Sequence, residues 1–210
     1  MADKPLWIWE SDLKRYRDTK TGRFVGIKQM NELRPVYLDQ QKAMIGNLIE
    51  KYHNNGNLKA FESGVKDTLK KSYIDMYTMG KGGRNNMTQA DWGSIGGMLH
   101  EQYRHLDVLM KQVGAGEISP AQALSRLKMY ENSSNEALWR GYTSDLPIDL
   151  PAYPGDGSTV CLTNCQCEWE IIKVEGGYDC YWRLGAAEHC PDCVERSQHW
   201  NPFRIRVSGE

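Results

Sequence analysis

All six cysteines of the chain fall between positions 161 and 193, and the preceding 160 residues contain none. Three lie in the stretch CLTNCQC as Cys161, Cys165 and Cys167, and two in HCPDC as Cys190 and Cys193, with Cys180 between the two groups. Such segregation marks the C-terminal part as a small unit that builds too little core alone and is stapled by sulfur chemistry. The prolines at 147, 151 and 154 forbid a helix from running into it. The chain therefore divides into an extended arm over 1–26, a helical domain over 27–146 and a cysteine-rich module over 147–210.

The middle of the chain has helical periodicity. Met30, Leu33, Tyr37, Met44, Leu48 and Tyr52 predict one helix from Ile27, closed by HNNGN at 53–57. Leu58, Phe61, Val65, Leu69, Tyr73 and Met76 predict a second, ending in GKGGRNN. A third opens with Thr88 as N-cap and Asp91 three residues on, a capping box, and buries Trp92, Ile95, Leu99, Tyr103, Leu106, Met110 and Val113 before Gly114 and Gly116 stop it. Ser119 and Pro120 start a fourth, whose stripe runs through Leu124, Leu127, Ala137, Leu138 and Tyr142. Four amphipathic helices on short connections predict an antiparallel bundle. After residue 154 the pattern turns to strands: CEWEIIKVEGGYDCYWRLG predicts a hairpin around Glu175, Gly176 and Gly177, followed by a short helix and a last alternating segment with Phe203, Ile205 and Val207 on one face. The predicted class is α+β, a mainly helical bundle followed by a small, zinc-ribbon-like β-hairpin module.

CPDC is a tight turn that presents two thiolates to one ion, and the first cysteine group, at the other end of the hairpin, supplies the rest of a tetrahedral zinc shell. The expected ligands are Cys161, Cys165, Cys190 and Cys193, with Cys167 as rival for the fourth position; His189, adjacent to Cys190, is a second choice. A closed thiolate shell leaves no position for water, so the zinc is expected to be structural. Disulfides are the alternative use of the same cysteines. Cys180, in the aromatic strand YDCYW, reads as a small core residue.

A formal net charge of −1 predicts no general electrostatic attraction to nucleic acid or anionic membrane. No apolar run approaches the ~20 residues that span a bilayer, and the first ten residues lack a signal peptide's apolar centre, so the chain reads as cytosolic when made, with reduced thiols. GKGGRNN lacks the ending of a phosphate loop and follows a helix. CPDC has no thioredoxin-like strand–helix surroundings, and His100 and His105 read as the polar flank of a helix. Trp7 and Trp9 alternate in a segment that is either a short strand packed on its own domain or an arm docking on a partner.

YRDTKTGRFV, the stretch from GKGGRNN to ALSRLKMY, LPAYPGDGSTVCLTNCQCEWEI and LGAAEHCPDCVER together resemble phage head morphogenesis proteins, the minor capsid proteins of the Mu F-like type. The most specific part is the pairing of Asn164, Cys165, Gln166 and Cys167 with His189 to Cys193, in an order inverted relative to the familiar one. The resemblance implies a helical region followed by a cysteine-bearing α/β module. It also implies a place in the phage head near the portal, in an oligomeric assembly with other head proteins such as capsid or portal, reached through the host cytoplasm. It implies no catalytic turnover. A phage-encoded metal- or thiol-dependent enzyme and a small nucleic-acid-binding zinc module are the alternatives.

Overall fold

Short polar side chains set the helix ends. In the computed structural model, which describes residues 7–10, 15–19, 21–25, 27–186 and 188–207, with side chains over 17–19, 21–23, 34–186 and 188–207, α1 spans Ile27–Asn55 and α2 Leu58–Gly80. Gly56 turns the chain between them at φ +65°, and the Asn57 side chain accepts the Ala60 N–H at 3.0 Å. α3, Gln89–Gly114, opens on the expected capping box: Asp91 N–H donates to Thr88 Oγ1 at 3.3 Å and Thr88 N–H to Asp91 Oδ2 at 2.7 Å. Asp91 is also 3.1 Å from the buried Lys81 ammonium, which pairs in addition with Asp145. The lysine of GKGGRNN is thus consumed by an internal ion-pair network that ties this connector to the helices.

The expected fourth helix is two. α4 covers Pro120–Asn132 and α5 Ser134–Thr143. At the break, Ser133 Oγ donates to Tyr130 O at 2.6 Å and Ser134 Oγ to Glu131 O at 2.7 Å, so serine hydroxyls compete for the last carbonyls of α4. The Tyr73 hydroxyl meets Ser133 Oγ at 2.7 Å and pins the break to α2. On α1 Tyr37 is buried as expected, but the rest of the stripe is rotated: Leu38, Ile45 and Ile49 point inward, whereas Met44 is 45% exposed. Met30 and Leu33 fall outside the described side chains.

α5 crosses α2 so closely that only glycine fits at the contact. A Cβ on Gly141 would collide with Tyr77 O, and one on Gly80 with Leu138 O, both rigid backbone atoms. Gly141→Ala is expected to destabilise the protein by on the order of 2 kcal/mol through forced separation of the helices. Urea denaturation measures this, and a variant as stable as the parent would overturn the close-crossing account.

The segment read as an extended arm forms a three-stranded antiparallel sheet of β1 (Trp7–Glu10), β2 (Arg15–Asp18) and β3 (Phe24–Val25), with Trp7 opposite Asp18 and Trp9 opposite Tyr16. Docking through the two indoles lies outside the described side chains. The C-terminal part holds a second antiparallel sheet, in the order β4 (Glu168–Val174), β5 (Gly177–Arg183), β6 (Phe203–Arg206), with α6 (Pro191–His199) between β5 and β6. Trp169 opposite Trp182 and Cys180 opposite Phe203 set its register. The expected α+β class, helices followed by a cysteine-bearing hairpin, is observed.

Two apolar clusters fill the interior. One runs from Tyr73, Met76, Ile95 and Trp139 of the helices into Cys165, Trp169, Trp182 and Cys193 of the sheet region. The other packs Ile45, Val65, Leu69, Leu106 and Leu127 at the far end of the helices. Among the described residues no helix is long and apolar enough to cross a membrane.

Candidate metal centre

Three short segments bring the thiols together. Cys161 precedes a helical turn at Leu162–Asn164, closed by Asn164 N–H donating to Cys161 O at 3.0 Å, and Cys165 ends that turn. Leu162 adopts φ +51°, a left-handed conformation costly for a branched side chain, which makes the reversal between the two cysteines tight. Cys167 lies one residue before β4. Cys190 is the N-cap of α6, Pro191 its first residue, and Cys193 sits in its first turn. The Asp192 carboxylate accepts the Val160 N–H at 2.7 Å, joining the start of α6 to the Cys161 loop. Arg196, farther along α6, donates to Ser158 O at 3.1 Å and lies 5.2 Å from the Trp182 ring centroid.

Cys161, Cys165 and Cys193 form a mutual set, each sulfur within 4.8 Å of the others, with Sγ–Sγ distances of 3.9 Å for Cys161–Cys193 and 3.6 Å for Cys165–Cys193. Cys165 and Cys193 are buried and Cys161 half-buried. All six cysteines are free thiols. Three convergent, mostly buried sulfurs can hold a metal ion. Of the remaining expected ligands, Cys190 caps α6 and Cys167 lies just before β4. Neither belongs to the mutual set. His189 is exposed and outside it, and Cys180 is fully buried in the sheet core beside Phe203.

The electrostatics follow from crowding. The Cys165 S–H donates to Cys167, and this bond, joined by the Gly185 N–H, lowers the Cys167 thiol to about 5 in spite of its burial. The same bond, with desolvation, pushes Cys165 up, and burial together with its bond to Cys190 pushes Cys193 up. Cys190 is lowered: burial opposes its ionisation, but the N–H groups of Cys193 and Cys161 outweigh it. Sulfurs this close cannot all ionise in a low-dielectric site without a cation, and a metal ion that replaces the shared protons removes the conflict.

Arg34, Trp182 and Gly185 support the site and were not expected from sequence. Gly185 lies so close to Gln166 O that a side chain would collide, which lets its N–H reach Cys167. The Arg34 guanidinium, buried on α1, is 3.5 Å from Glu168 Oε1. It brings positive charge from the helices to the edge of the thiol cluster. Trp169, Trp182 and Trp200 stack and edge-pack beside the cluster, with ring centroids 5.1–5.6 Å apart. No protein-family model, curated protein or solved structure matches this chain.

Proposed function

We propose that this chain is a structural and assembly component of a phage head, of the minor capsid or head morphogenesis type, which binds other head proteins and whose C-terminal module is held by a structural zinc ion. The observation that carries the metal part is the mutual set of Cys161, Cys165 and Cys193, flanked by two further thiols and by no His, Asp or Glu within that set. An all-sulfur donor set in a buried, aromatic surround suits zinc in a closed, non-catalytic shell, with iron the competing tetrahedral thiolate metal. The phage-head part rests on the resemblance of the sequence elements around these cysteines. The helices would then present faces to neighbouring subunits, and the metal would keep the sheet module in one shape for docking.

A thiol-dependent enzyme built from the same cysteines finds one point of support, the lowered Cys167 thiol. Cys167 is only 3% exposed, however, and a nucleophile has to be reached by its substrate.

The test is metal content and thiol count on the purified, unreduced protein, followed by particle assembly with Cys193→Ala in a phage-producing host. Bound zinc, thiols that react only after denaturation or chelation, and loss of the variant from particles are expected. Fast alkylation of one cysteine in the folded protein, with normal particle incorporation of the variant, would overturn the proposal in favour of the enzyme.

A further inference from the structure

The three sulfurs of the mutual set differ in distance and in access. Cys193 is the hub, 3.6 Å from Cys165 and 3.9 Å from Cys161. A disulfide holds its sulfurs about 2 Å apart, so either pair closes with a side-chain shift of about 2 Å or less. Access separates the pairs. Cys165 and Cys193 are 3% and 1% exposed, whereas Cys161 is half-buried at the start of the Leu162–Asn164 turn, between the exposed Val160 and Leu162. The Thr159 hydroxyl lies 3.1 Å from the Cys161 sulfur. A partly covered sulfur shuts out bulky alkylating reagents yet admits hydrogen peroxide, which is little larger than water. Cys190 is also half-buried but stands outside the mutual set.

We infer that Cys161 is a site of oxidation by hydrogen peroxide and that Cys193 resolves it, so that the cluster closes into a Cys161–Cys193 disulfide although Cys165 is the nearer sulfur to Cys193. In the first step the Cys161 sulfur bonds to one peroxide oxygen as the O–O bond breaks. The other oxygen leaves as water with the thiol proton, and Cys161 becomes a sulfenic acid. In the second step the Cys193 sulfur bonds to the Cys161 sulfur, the S–O bond breaks, and the hydroxyl leaves with the Cys193 proton as a second water. Where a thiol has already given up its proton to a metal ion, solvent supplies it. Two thiols thus lose two electrons to one peroxide. Thr159 Oγ1, beside the reacting sulfur, is placed to hydrogen-bond the departing oxygen. The inference adds regulation to the proposed metal centre and rests on that reading only for its consequence. With two of the three sulfurs joined, the set no longer offers the thiolates that ligate an ion, so oxidation releases the metal and a dithiol reductant restores the site.

The experiment treats the full chain, purified in the presence of zinc, with hydrogen peroxide, and follows zinc release, intact mass and the disulfide map from tandem mass spectrometry of unreduced peptides. The parent is expected to become lighter by two hydrogen atoms, to form the Cys161–Cys193 bond, to release its zinc, and to recover its thiols and zinc binding after dithiothreitol. Cys161→Ser should lose thiols on the order of 10-fold more slowly than the parent, and Cys190→Ser at the parent's rate. The map of the parent is independent of whether any variant folds. A Cys165–Cys193 or Cys190–Cys193 bond in the parent, or oxidation of Cys161 that runs to the sulfinic acid with no bond formed, would overturn the inference. A parent that forms the Cys161–Cys193 bond but carried no zinc beforehand upholds the oxidation site and defeats the metal reading. A zinc-bound parent whose thiols survive peroxide defeats the oxidation site alone.

Discussion

If the proposed zinc ion is bound, a strong chelator is expected to strip it and to unfold the sheet of β4, β5 and β6 while the far half of the helices stays folded. Structural zinc contributes roughly 10–16 kcal/mol of apparent binding free energy in small thiolate modules, against a net stability of about 5–15 kcal/mol for a whole domain. Whatever depends on the ion therefore cannot survive its removal on its remaining contacts. The dependent elements are those the cysteines tie down: the Cys161–Cys167 loop feeding β4, and α6, whose first turn carries Cys193. The cluster of Ile45, Val65, Leu69, Leu106 and Leu127 contains no residue of that region. Amide hydrogen exchange distinguishes the two halves. Protection should vanish over 168–183 and persist around Leu69, Leu106 and Leu127. Unchanged protection in the sheet after complete metal removal would show that the ion is not structural. Since the ligands must be deprotonated, the same loss should be reached by acidification in the presence of zinc.

The starts of α3 and α4 were legible in the sequence. Thr88 with Asp91 and Ser119 with Pro120 act within three or four residues of themselves, so no tertiary context is needed to read them. The break at Ser133 was not, because it depends on serine hydroxyls favouring local carbonyls and on Tyr73 meeting Ser133 from 60 residues away. The rotation of α1 that exposes Met44 has a similar origin, since apolar residues on both sides of the stripe leave its centre to be chosen by α2 and α4. At the candidate metal centre, the cysteines singled out by residue type and spacing include the three that meet, Cys161, Cys165 and Cys193. Which three meet at mutual distance depends on how α6 is laid against the loop before β4, a long-range arrangement that spacing cannot express. Arg34 gave a faint signal, a charge on a helix face that otherwise turns inward, but its partner Glu168 lies 134 positions on. Glu131 is a second such charge, in line with Leu124 and Leu127 on α4, and the sequence offered no reason for it.

Replacing Glu131 with glutamine is expected to stabilise the protein at neutral pH and to flatten its pH dependence between about 4.5 and 7. Glu131 is fully buried, and neither carboxylate oxygen has a hydrogen-bond partner. The Ser72 hydroxyl donates to Thr68 O at 3.1 Å instead. The residue also sits in the last turn of α4, where the helix dipole disfavours an anion. Burial is the main cause that pushes the carboxyl up to about 7 from 4.5; Asp75 adds to it, and Lys42 and Lys71, the cations facing it from α1 and α2, only partly oppose it. Between these two values the folded chain holds a proton that the unfolded chain releases. The contribution is therefore fully present below pH 4.5, declines as pH rises, and is lost above about 7. For a single group the span is on the order of 3 kcal/mol. Glutamine carries no charge to bury, so above pH 7 the variant gains most of that amount, less the ~1 kcal/mol that an unpaired buried amide costs. Urea midpoints of parent and variant from pH 4 to 8 decide the matter. The variant should lie slightly below the parent at the acid end and rise above it as pH increases, and a difference that stays constant across the range would show that Glu131 does not titrate within it.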